Sequence, residues 1–119
     1  MTRGVRRTPE QVFLDSISER DWQAQVIQLA ETFGYAWGHF RPAQTSRGWR
    51  TPVSGPLGEG WPDLMLARPG RFILAECKRQ RGEVSTAQAV VHALLRDAGV
   101  EVYVWRPGDL DAVAAVLRT

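Results

Sequence analysis

Three charged side chains stand where the hydropathy pattern calls for a sheet. Asp63 opens one short apolar run, Glu76 and Lys78 close a second, and Pro69-Gly70 marks a tight turn between them. Side chains alternate along a strand, so Glu76 and Lys78 should share a face while Cys77 points the other way. Pairing of the two runs as a hairpin would bring Asp63 to the Glu76 side. Two carboxylates at the edge of an apolar sheet are costly to desolvate unless a charge compensates them. A divalent cation does so: Mg²⁺ (or Mn²⁺) accepts a few carboxylates and keeps several waters. Asp63, Glu76 and the main-chain carbonyl of Cys77 are therefore the candidate ligands. Such an ion lowers the pKa of its water, and Lys78 can orient that water or hold charge on a phosphate. The chemistry that fits is in-line attack on a phosphodiester.

The basic residues sharpen this. Fourteen of the fifteen are arginine, and Lys78 is the only lysine. A GC-rich codon bias accounts for most of that excess, yet it makes the surviving lysine informative, because lysine is a compact charge whose pKa can move. Arg41, Arg47 and Arg50 surround Trp49 in one stretch, and Arg79 and Arg81 follow Lys78 directly. Arginines interleaved with an aromatic suit a nucleic-acid backbone and an unstacked base. Arg68 and Arg71 at the hairpin turn, and Arg3, Arg6 and Arg7 near the N-terminus, are further candidates for phosphate contact.

The elements that must position these groups are legible in outline. Trp22, Val26, Leu29, Ala30 and Phe33 recur at helical spacing and predict a helix over 19–33, capped by Ser16 or Ser18 and ended at Gly34. Glu19 in its first turn either completes a Ser16-x-x-Glu19 capping box or reaches toward the metal site. Residues 35–40 read as a strand, with His39 a structural residue more readily than a ligand. Residues 41–60, rich in Pro and Gly, read as a long structureless loop of the kind that is often functional. A helix follows over 86–97 with Ala87, Val90, Val91, Leu94 and Leu95 inward, and Ser85-x-x-Gln88 has capping-box spacing. Residues 100–105 form a strand, and Asp109 caps a last short helix.

This order gives an α/β fold with a mixed central sheet flanked by helices. Residues 1–17 are expected to form a flexible basic arm and residues 18–119 one domain. No apolar run approaches the roughly 20 residues of a membrane span, and the lone Cys77 excludes an internal disulfide or a cysteine-based zinc site. A cytoplasmic protein, in a bacterial cell or a phage-infected host, is the expectation.

Gly60-x-Pro62-Asp63 followed by Glu76-x-Lys78 resembles the PD-(D/E)XK nucleases, and the element order resembles their restriction-endonuclease-like αβββαβ core. More narrowly it is similar to the VRR-NUC (virus-type replication-repair nuclease) branch, through the Gly-x-Pro-Asp form, Gln88 in the helix after the lysine, and Gly99 before a hydrophobic strand. The resemblance covers nearly the whole chain. It implies that Asp63 and Glu76 bind metal, that Lys78 is the catalytic lysine, and that Gln88 is an active-site residue. It also implies a first-helix residue near the metal, for which Glu19, Gln23 and Gln25 compete. The family's small members imply a homodimer acting on branched DNA such as four-way junctions, since paired sites suit a two-fold substrate. Cys77 stands where an aliphatic or small residue is commoner. The alternatives are a nuclease for ordinary duplex or nicked DNA, a non-catalytic DNA-binding module of the same fold, or a plain Glu76–Lys78 ion pair, which contributes only ~0–1 kcal/mol when exposed.

Overall fold

The computed structural model describes residues 6–40, 43–46, 48–50 and 53–119, with the backbone alone described for 43–45 and 48–50. Along the chain the elements are α1 (Pro9–Ser16), α2 (Glu19–Thr32), β1 (Ala36–His39), β2 (Ala43–Thr45), β3 (Gly48–Arg50), β4 (Leu64–Arg68), β5 (Arg71–Cys77), α3 (Thr86–Asp97), β6 (Glu101–Trp105) and α4 (Leu110–Arg118). The result is a mixed α/β fold. Four strands form the main sheet in the order β1-β4-β5-β6, and β2 and β3 pair separately.

The expected hairpin is its centre. Gly70 at φ 81° takes the left-handed turn position that a Cβ disfavours, and β4 and β5 pair antiparallel from Arg68↔Arg71 to Leu64↔Ala75. β1 adds antiparallel to β4 as an edge strand. β6 joins β5 in parallel, so the chain must cross over between them, and α3 is that crossover. Alternation along β5 divides the core in two. Ile73, Ala75 and Cys77 face Trp22, Val26 and Ala30 of α2 and Val113 and Leu117 of α4, while Leu74 faces Val91 and Leu95 of α3. Helices thus cover both faces of the sheet.

Several expectations need correcting. The stretch expected as an arm contains α1, started by a Thr8–Gln11 capping box with Pro9 at its first position. Arg7 pairs with Asp15 at 2.5 Å; Arg3 lies outside the described residues. The expected loop of 41–60 contains the β2–β3 hairpin and a 3-10 turn at Gly58–Gly60. Ser18, not Ser16, caps α2 by accepting from the Asp21 amide, so no Ser16–Glu19 box forms. In α3 the inner face is rotated from the expected one: Val90 and Leu94 are 63% and 54% exposed, and His92 is buried instead. Asp109 precedes α4, but its carboxylate accepts from the Arg106 amide rather than from α4 itself.

Arg68 and Arg71 are both engaged within the fold. At the far end of the sheet, Arg71 makes a two-pronged bond to Glu101 (3.0 and 2.9 Å) and donates to the Val116 carbonyl at 2.6 Å and to the Tyr35 hydroxyl. Arg68 donates to the Phe33 carbonyl and lies over the Tyr35 ring. Both guanidiniums are committed to joining strands to helices.

Candidate active site

The candidate site forms where β4 begins and β5 ends. Gly60 explains how the chain reaches it. A Cβ there would lie 2.2 Å from the Ala87 carbonyl oxygen and 2.6 Å from a Val91 methyl, so only glycine lets this segment lie against α3. Pro62 is fully buried behind it. Asp63 is not on a strand, as expected, but in the bend just before Leu64, with its carbonyl accepting from the Phe40 amide at 2.7 Å. That bend turns Asp63 across the end of the sheet.

There the acidic groups converge. The Asp63 amide donates to Glu76 Oε1 at 3.2 Å, and Lys78 Nζ stands 3.6 Å from Glu76 Oε2. Asp63 Oδ2 accepts from Gln23 Nε2 of α2 at 3.2 Å, and the nearby Cys77 main chain helps to favour the charged form of the Asp63 carboxylate. Asp63 Oδ1 is buried and has no hydrogen-bond partner among the described residues. Lys78 is fixed from the backbone. Its amide donates to the Trp105 carbonyl at 2.9 Å, and the same carbonyl accepts from the Trp22 indole of α2, also at 2.9 Å. One oxygen therefore ties β5, β6 and α2 together beside the lysine.

The electrostatics record a shortage of positive charge. Burial, and then the neighbouring Glu19, push the Asp63 carboxyl up to about 6 despite the amide and lysine contacts. Burial and Asp63 push Glu76 up to about 7, with Lys78 opposing. The Cys77 thiol is pushed up by burial, and then by Asp63 and Glu76, and faces the core; it is an inert filler. Strand alternation directs its main-chain carbonyl to the same edge as its amide, toward Asp63, because the flanking Lys78 amide is turned to β6.

Among the described residues, no three His, Cys, Asp or Glu side chains gather as a metal-holding group. Glu19 lies at the exposed start of α2 and acts on both carboxylates through charge without joining them. A three-carboxylate cage is not what Mg²⁺ requires, however. It binds through one or two carboxylates and retains waters or phosphate oxygens. The donors here fit that habit: the buried Glu76 carboxylate, the half-buried Asp63 carboxylate with its Oδ1 unpartnered among the described residues, and a main-chain carbonyl at the same edge.

The structure therefore brings together Asp63, Glu76, Cys77 and Lys78, and of the three α2 candidates it puts Gln23 in hydrogen-bond contact with them. Gln25 is exposed on α2. Gln88 is not brought in: its Oε1 accepts from the Ser85 amide at 3.0 Å and its amide donates to Ser85 Oγ, a capping box. Arg79 and Arg81 are exposed on a turn held by Arg106, which donates to the Gly82 carbonyl, and by Gln80, which accepts from the Gly108 amide. Arg41 and Arg47 lie outside the described residues, as do the side chains of Trp49 and Arg50.

One neighbour escaped the sequence reading. His92 is buried on α3, bonds to the Gly60 main chain, and leaves Nε2 without a partner among the described residues. Burial, then Arg96 and Lys78, hold its pKa below the ordinary range, so it stays neutral. A polar residue four positions after Gln88 on an otherwise apolar inner face was the available signal.

No protein-family model matches the chain, and neither a curated protein nor a solved structure matches it.

Proposed function

We propose that this chain is a divalent-metal-dependent DNA endonuclease of the PD-(D/E)XK kind, similar to the VRR-NUC branch, hydrolysing phosphodiester bonds in branched DNA as a homodimer. The observation that carries the reading is the set Gln23–Asp63–Glu76–Lys78 at the end of β5, with Glu76 buried, Asp63 half-buried and its buried Oδ1 without a hydrogen-bond partner among the described residues. Buried charges are ordinarily paired, and Lys78 alone leaves this site one cation short. With the separate β2–β3 hairpin set aside, the main-sheet order α2-β1-β4-β5-α3-β6 is compatible with the helix-strand-strand-strand-helix-strand pattern that the motif calls for.

Asp63, Glu76 and the Cys77 carbonyl would hold the cation, which when bound supplies a more acidic water and offsets negative charge on the phosphate. Gln23 holds the Asp63 carboxylate from α2 through its bond to Oδ2. Lys78, anchored through its amide to Trp105, holds its ammonium beside Glu76, where it can orient a water or neutralise charge developing on phosphate oxygens. Arg79 and Arg81, exposed on the adjoining turn, would contact the DNA backbone. Their contacts set register and affinity rather than sequence.

Incubating the protein and Mg²⁺ or Mn²⁺ with matched duplex, flap and four-way-junction DNAs tests the proposal. Cleavage that the Glu76→Gln variant lacks is the expected result. Absence of cleavage on every DNA, or equal cleavage by the variant, overturns it.

A further inference from the structure

A groove of about 500 Å³ runs along the outer side of α2 beside the edge strand β1, lined by Arg20, Asp21, Gln23, Glu31, Trp37 and His39. It adjoins the candidate active site on two sides. Gln23 lines it and also donates to Asp63, and His39 precedes Phe40, whose amide donates to the Asp63 carbonyl. We infer that this groove receives an unpaired nucleobase of the DNA next to the scissile phosphate, stacked on Trp37. The inference rests on the nuclease reading above and deepens it by naming the feature of the DNA that is recognised.

The geometry is that of a stacking platform. Trp37 and His39, two residues apart on β1, share a face, and their rings lie 5.4 Å apart at 37°. Trp37 is 44% exposed, yet its indole is not loose: its Nε1 donates to Glu31 Oε1 at 3.1 Å. A large aromatic held in the open on an edge strand costs hydrophobic exposure that the fold does not recover.

Charge decides which part of a nucleotide fits. Asp21 and Glu31 outnumber Arg20 on the groove wall, so it disfavours a run of phosphates. Gln25 and Gln28 offer amides that both donate and accept, which suits base edges of any identity. Stacking is likewise sequence-tolerant, because every base has a π-face. The groove therefore selects an unpaired base by being unpaired, not by which base it is. A matched duplex has none to offer, whereas a flap or branch point does.

The test uses the full chain in EDTA, so that binding is read without cleavage. Fluorescein-labelled blunt duplex and the same duplex with a single-stranded tail are titrated by anisotropy against wild type, Trp37→Ala and Trp37→Phe. We expect the tail to tighten wild-type binding, Trp37→Ala to weaken tailed DNA roughly five- to tenfold with blunt duplex little changed, and Trp37→Phe to retain most of the gain. With 2-aminopurine at the first unpaired position, wild type should quench its fluorescence and Trp37→Ala should not. Undiminished tail affinity in Trp37→Ala, or unquenched 2-aminopurine on wild type, overturns the inference. If Mg²⁺-dependent cleavage persists in that case, the groove assignment falls alone; if wild type neither binds nor cleaves any of these DNAs, the nuclease reading falls with it.

Discussion

Gln23 Nε2 donates to Asp63 Oδ2 at 3.2 Å, across a sequence separation of 40 residues. This bond joins α2 to the bend before β4 and holds the carboxylate that has an oxygen to spare. Gln23→Ala should leave the fold intact while reducing cleavage roughly ten- to a hundredfold, the usual effect of removing a partner that orients a ligand. The Mg²⁺ concentration giving half-maximal rate should rise with it. An unchanged Mg²⁺ dependence would show that Asp63 is positioned without Gln23.

The raised carboxyl pKa values give stability a distinctive pH dependence. Asp63 and Glu76 keep their protons in the fold to about 6 and about 7, whereas the unfolded chain releases them near 4. Between those limits the folded state binds more protons, so stability falls as pH rises from about 4 through about 7. A cation held by the two carboxylates reverses the loss. Mg²⁺ should therefore raise the Tm by several degrees at pH 8 and far less at pH 5, measured by calorimetry in a single ionic background. Equal shifts at both pH values would place the ion elsewhere.

Lys78 is the one lysine in a chain that otherwise uses arginine, and its amine stands 3.6 Å from Glu76. Lys78→Arg preserves charge but replaces a compact ammonium by a planar fork. Single-turnover cleavage should fall at least a hundredfold with DNA affinity within about threefold, the pattern of a group that acts in the transition state. Near-normal turnover would mean the position needs only a positive charge.

Gly60→Ala should destabilise the fold by about 2–3 kcal/mol, the range for forcing extra volume into a packed site. Its Cβ has nowhere to go but the Ala87 carbonyl, 2.2 Å away. Denaturant unfolding measures this directly, and a loss under about 0.5 kcal/mol would show that α3 yields easily.

The arginines divide by position. Neutralising Arg79 and Arg81 together should reduce the slope of log affinity against log salt by about 2, with little change in Tm. Arg71→Gln should do the reverse, since Arg71 satisfies Glu101, the Val116 carbonyl and Tyr35 at the opposite end of the sheet. An altered salt slope in Arg71→Gln would contradict that division.

Local chemistry was enough to read the hairpin, the two capped helices and the charged trio. Pro69-Gly70 dictates its turn, alternation puts Glu76 and Lys78 on one side and Cys77 in the core, and Ser85-x-x-Gln88 announces the start of α3. Each is decided within a few residues, where propensity and period operate. What lay across the fold could not be read that way. Arg71 looks like a phosphate ligand until Glu101 is beside it, and Val90 and Leu94 look like core until the phase of α3 against the sheet turns His92 inward. The choice of Gln23 over Glu19 and Gln25 depends on how α2 rotates onto Leu64 and Cys77, and the unpartnered oxygen of Asp63 on a bend that Gly60 permits. The sequence by itself determined which chemical groups this protein has and which short elements carry them. Only the tertiary structure decided which of them meet, because helix phase and the path of a buried bend are set by packing between segments far apart in the chain.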